Sequence, residues 1–135
     1  MCLYIKKTEI PKIAKRNIYV WVVRFISKVN KERICSPYYY ECEWEIGIVK
    51  QIRGNSFRTY NSSFRVGEKI IGVGAFHSFK NKKGTLKEIK GRRYDKIFKA
   101  VIPKGTLYIK GTWGPNVSYA SKALKLIKQV NKGEK

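Results

Sequence analysis

Ile18-Tyr19-Val20-Trp21-Val22-Val23-Arg24-Phe25-Ile26 is an unbroken run of β-branched and aromatic residues apart from Arg24. Such side chains lose rotamer freedom in a helix and pack well on a pleated surface, so the run predicts a strand. It is apolar on both faces, which places it in the interior of a sheet and not at an edge. Working outward, Ile34 to Ser36 opens a second strand that Pro37 interrupts. Tyr38 to Ile46 alternates, with Glu41, Glu43 and Glu45 on one side and Cys42, Trp44 and Ile46 on the other, as a half-buried strand does. Residues 51–69 read as a loop, with turn signals at Gly54-Asn55-Ser56 and Asn61-Ser62-Ser63. Ala75 to Phe79 is a short strand. Phe98 to Ile102 and Thr106 to Lys110 are two more, joined by a hairpin-like turn at Pro103-Lys104-Gly105. Ser118 to Ser121 follows, and Leu124 to Val130 fits either a strand or a last helix.

Asn81 to Arg93 predicts a helix, with Asn81 as its cap and Leu86 and Ile89 on one face. Gly84 weakens it by about 1 kcal/mol relative to alanine. The expected fold class is therefore α+β: one compact domain over residues 1–135, a bent and largely antiparallel sheet with one or two helices. Asn131 to Lys135 reads as a frayed tail.

Charge carries the functional signal. Thirty Lys and Arg against nine Asp and Glu give a formal +21 on 135 residues. That much like charge opposes compaction, so it implies a polyanionic partner, of which nucleic acid is the commonest. An apolar content of 43% shows that the charge rides on a folded scaffold rather than on a disordered tail. Residues 34–50 form the single acidic island in an otherwise basic chain. No apolar run approaches the roughly 20 residues of a membrane span, and the N-terminus lacks the order of a signal peptide. Cys2, Cys35 and Cys42 form no CxxC pair, which points to reduced thiols, a cytoplasmic setting and no structural zinc. No cofactor is implied, and the oligomeric state is left open.

Within this frame, aromatic rings lie among cations: Phe57, Tyr60 and Phe64 with Arg53, Arg58 and Arg65, and Tyr108 and Trp113 with Lys110. Rings stack on unpaired bases while cations neutralise phosphates. The expected helix adds Lys83, Lys87, Lys90, Arg92 and Arg93 as a cationic face with Glu88 as the one acid beside it. The interface residues expected are therefore Arg53, Phe57, Arg58, Tyr60, Arg65, Lys83, Lys87, Lys90, Arg92 and Arg93. The carboxylates of Glu41, Glu43 and Glu45 share one strand face, a pattern better explained by solvation than by a metal ion. His77, the one histidine, comes with no recognisable nucleophile motif or orienting carboxylate and reads first as a hydrogen-bonded structural residue.

Three segments carry a resemblance: Gly74-Ala75-Phe76-His77-Ser78-Phe79, Ala100-Val101-Ile102-Pro103-Lys104-Gly105-Thr106-Leu107-Tyr108, and Val117-Ser118-Tyr119-Ala120-Ser121. Across residues 74–127 the chain resembles small uncharacterised proteins of bacteriophages and gut bacteria that combine a histidine-bearing strand, an IPKGTxY hairpin and an SYAS segment. Their layout is similar to a split ADP-ribosyltransferase-like sheet, which implies His77 and Tyr119 beside a nucleotide cleft. A phage setting implies antagonism of host defence, anti-CRISPR action included. The expectation drawn from the whole is a non-catalytic protein that binds nucleic acid or a nucleoprotein. The alternatives are a small nucleotide-using enzyme centred on His77 and a module that docks on an acidic host protein.

Overall fold

The computed structural model describes residues 3–27, 33–35, 44–63, 65–71, 74–83, 85, 95–113 and 116–130. In chain order the strands are β1 (Tyr4–Lys6), β2 (Lys12–Ile13), β3 (Ile18–Ser27), β4 (Arg33–Cys35), β5 (Val49–Gln51), β6 (Thr59–Asn61), β7 (Glu68–Ile71), β8 (Phe76–Phe79), β9 (Asp95–Ile102), β10 (Leu107–Trp113), β11 (Asn116–Ser121) and β12 (Ala123–Val130). All belong to one sheet, ordered β5-β12-β9-β3-β8-β11-β10-β1-β7-β6, with β2 on β10 and β4 on β3. The two ends, β5 and β6, are three residues long, which limits the open backbone each edge presents.

The run at 18–26 does form the long interior strand β3, paired along its length with β9 from Ile18↔Ile102 to Phe25↔Asp95. Alternation then selects the core. Val20 and Val22 of β3, Phe98, Ala100 and Ile102 of β9, Leu124 and Leu126 of β12, Phe76 of β8 and Tyr119 of β11 meet in the largest buried cluster. Each large apolar side chain removed from water in this way contributes about 1.5–3 kcal/mol. β11 passes through Lys122 directly into β12. The ladder β12-β9-β3-β8-β11 therefore begins and ends on strands that are consecutive in the chain, and the sheet coils around this cluster. The opposite face of β1, β7, β8, β10 and β11 holds a second cluster of Leu3, Ile5, Ile71, Phe79, Ile109, Trp113 and Ala120, against which Phe57 packs. Ser118, Ala120 and Ser121 are small enough for β11 to be buried on both faces.

The α+β expectation is corrected. Strands take 61% of the described residues, and the only helical residues among those described are Lys82, Lys83 and Thr85, with Thr85 N–H donating to the Asn81 carbonyl at 3.4 Å. The rest of the expected helix, Gly84 and 86–93, lies outside the described residues, as do Tyr38 to Glu43 and the tail 131–135. Leu124 to Val130 is strand because Leu124 and Leu126 alternate into the core while the backbone pairs with β9 on one side and β5 on the other. Long-range pairing settles what its local pattern left open.

The turn at Pro103-Lys104-Gly105 is not a hairpin. β9 pairs with β3 and β12, whereas β10 pairs with β11, β1 and β2, so the turn is a corner between two parts of the sheet. Thr106 N–H donates to the Pro103 carbonyl at 3.1 Å. Gly105, at φ 89°, takes the left-handed position that such a turn needs. The corner is tied to the segment before β3: Gly105 N–H to the Ala14 carbonyl at 2.8 Å, Ala14 N–H to the Thr106 carbonyl at 2.9 Å, and Lys104 N–H to Asn17 Oδ1 at 2.9 Å.

Candidate nucleic-acid interface

That tie shapes a concavity at one end of the sheet. Residues 9–17 cross the end of the coiled sheet where β3 and β10 begin, and they enclose an open cleft of about 1010 Å³. Its floor is made by Tyr108 and Tyr119, neighbours on β10 and β11 whose rings meet edge to face with centroids 6.0 Å apart. Register puts Lys110 directly opposite Tyr119, and Lys12 opposite Tyr108. Lys12, Lys15, Arg16 and Lys110 line the cleft against one acid, Glu9. Ile10, Ile13 and Tyr19 stand at its rim with 65%, 56% and 58% of their surface exposed. Burial first, and then the neighbouring Tyr108, push the Tyr119 phenol pKa upward, so at neutral pH it is an uncharged ring with a hydroxyl. Such a cleft offers π-faces, hydroxyls and cations together, with little negative charge to repel an anion.

Of the residues singled out in sequence, Tyr108, Lys110 and Tyr119 meet in this cleft, and the others lie elsewhere or outside the described residues. Lys87, Lys90, Arg92 and Arg93 fall outside the described residues, and Lys83 is exposed on the turn after β8. Arg53 and Arg58 are exposed between β5 and β6, and Tyr60 is exposed on β6 at the sheet edge. Arg65 lies 4.2 Å from the centre of the Tyr4 ring and 3.5 Å from the Glu68 carboxylate. Phe57 is a packing residue: it rests on the second core cluster beneath the Lys122 ammonium, 5.0 Å away. Lys122 in turn donates to the Gly74 carbonyl at 2.8 Å, and burial, then Arg58, lower its pKa.

His77 belongs to the face of the second cluster, with its ring 5.7 Å from that of Trp113 in an edge-to-face contact. The residue keeps partial exposure, but solvent reaches neither ring nitrogen. Burial, and secondarily Arg24, lower its pKa from 6.5 to about 4. His77 pairs with Ala120 and Tyr119 pairs with Ser78, so His77 and Tyr119 face opposite sides of the sheet and do not share a cleft. No group of three metal-ligating side chains occurs among the described residues, and no described helix is long and apolar enough to cross a membrane.

Sequence alone does not single out Lys12, Lys15, Arg16 and Tyr19 from the other basic and aromatic residues of the first 33. A signal was there: Ile10 and Ile13 are interleaved with Lys12, Lys15 and Arg16 just before the strongest strand. Apolar and basic residues in such a segment do not announce which of them stay exposed. Comparison with protein families, with curated proteins and with solved structures finds no match for this chain.

Proposed function

We propose that the protein binds nucleic acid, without catalysing a reaction on it, at the cleft between residues 9–17 and the Tyr108–Tyr119 floor. The observation that carries this reading is the composition of that cleft: four cations, three tyrosines and one acid around an open volume of about 1010 Å³. Small-molecule pockets span about 300–1,000 Å³ and enclose most of their ligand. An open cleft at the top of that range suits a polymer that enters and leaves. The overall +21 supports the same reading, since a net positive field draws a polyanion toward the molecule.

The test is a fluorescence-anisotropy titration with nucleic acid at several salt concentrations. Four phosphates neutralised by Lys12, Lys15, Arg16 and Lys110 correspond to a slope of log K against log[salt] near −3, at about 0.7 per phosphate of a single strand. The double variant Lys12→Glu/Lys110→Glu is expected to weaken binding by tenfold or more, about 1.4 kcal/mol, with an unchanged melting temperature. Salt-insensitive binding defeats the proposal, and polyglutamate competing as well as nucleic acid defeats it in favour of an acidic protein partner.

A further inference from the structure

The cleft does not end at its rim. A second concavity, of about 340 Å³, lies beside the corner turn and is lined by Gln51, Asn55, Lys104 and Lys122 among others. Ile13 lines both. It belongs to β2, which pairs with the first residues of β10 through Ile13↔Leu107 and Lys12↔Tyr108. One short strand therefore forms a low ridge between two depressions, and its crest is an aliphatic side chain left 56% exposed. The ridge is held rigidly, because the backbone on its far side is bonded to the corner through Ala14, Gly105 and Thr106. Cations flank it on both sides, Lys12, Lys15, Arg16 and Lys110 on one and Lys104 and Lys122 on the other.

We propose, resting on the function proposed above, that the ligand is a single strand of nucleic acid whose path crosses the Ile13 ridge from the tyrosine-floored cleft into the second concavity. The tyrosines argue for the single strand. Tyr108 is half-buried and Tyr119 almost wholly so, at the bottom of a depression. A base reaches such rings only when it is unpaired and turned out of its helix, since a duplex keeps its base faces stacked inside. The ridge argues for the path. An exposed isoleucine between two basic depressions separates neighbouring bases without repelling them, and phosphates on either side find a lysine.

The experiment compares fluorescein-labelled oligothymidylate, oligouridylate and a duplex of equal length at one salt concentration, then repeats the single strands at two lengths. The short length fills one depression and the long one spans both. Single strands are expected to bind at least tenfold more tightly than duplex, whichever sugar they carry, and Tyr108→Ala is expected to remove about tenfold. Lys104→Glu is expected to weaken the long strand about fivefold and to leave the short one unchanged, with melting temperatures confirming that each variant folds. Duplex binding equal to or tighter than single strand overturns this inference while the proposed function stands. Equal effects of Lys104→Glu on both lengths overturn the path. Absence of binding to every probe overturns the function and this inference together.

Discussion

His77 and Tyr119 sit on hydrogen-bonded neighbouring strands yet face opposite sides of the sheet, because Tyr119 is opposite Ser78 and His77 is opposite Ala120. Residues opposite one another in a ladder share a face, and successive residues alternate. One step along β11 thus separates the floor of the basic cleft from a buried histidine. A site that used both side chains would need a register shifted by one residue, which would take Phe76 out of the first buried cluster and Phe79 out of the second. The two residues therefore make separate contributions.

The fold holds His77 as the neutral imidazole. The unfolded chain takes up its proton near pH 6.5 and the folded chain only near pH 4. Stability from this group is complete above about 6.5 and falls as the pH drops toward 4, by an amount on the order of 1–3 kcal/mol. Urea unfolding of wild type and His77→Ala across that window checks it. The variant is expected to be less stable at neutral pH by about 1–3 kcal/mol, through loss of the ring against Trp113. It should also show a shallower fall with acid and keep its nucleic-acid affinity within about threefold. Parallel pH curves for the two proteins would contradict this.

Gly111 lies on β10 where β1 crosses. A methyl group there would overlap the Tyr4 carbonyl oxygen and the Ile5 Cγ2 atom, and press on Leu3 Cδ1 at 3.3 Å. Backbone cannot yield as a flexible side chain does, so Gly111→Ala is expected to cost about 1–3 kcal/mol. A drop in melting temperature with unchanged secondary structure by circular dichroism is the expected reading.

Gly105 tests the corner differently. Space around it is open, with no atom within 4 Å of where a methyl group would stand, so crowding is not the issue. The backbone is: its φ of 89° lies in the left-handed region. An L side chain in left-handed backbone costs about 1–2 kcal/mol, and Gly105→Ala is expected to lose that much in thermal unfolding. Because the corner anchors the cleft rim, affinity should fall along with stability. Asn17→Ala, which removes the bond to Lys104 N–H, is expected to weaken binding more than it lowers the melting temperature.

Ser78 supplies the opposite sign. Its hydroxyl is buried beside Tyr119 and has no hydrogen-bond partner among the described residues. Burying an unsatisfied hydroxyl costs about 1–3 kcal/mol, so Ser78→Ala is expected to hold or raise stability. A melting temperature lowered by several degrees would show that the hydroxyl is paired.

The sequence by itself determined the strand at 18–26, the basic balance and the glycine turn at 103–105, since each rests on residues adjacent in the chain or on composition alone. A nine-residue run of β-branched and aromatic side chains, Arg24 apart, is stiff at χ1 and suits a pleated, buried surface, and net charge is a sum over residues. Tertiary structure decided which strands meet. Pro103-Lys104-Gly105 is locally the same turn whether it closes a hairpin or rounds a corner, and only the pairing of β9 with β3 and of β10 with β11 makes it a corner. Leu124 to Val130 became strand through its partners on both sides. The cleft arose the same way: Lys12 and Tyr108 stand far apart in the chain and directly opposite in the sheet. A site assembled across a ladder has no local signature, because its geometry is carried by hydrogen bonds between distant backbones.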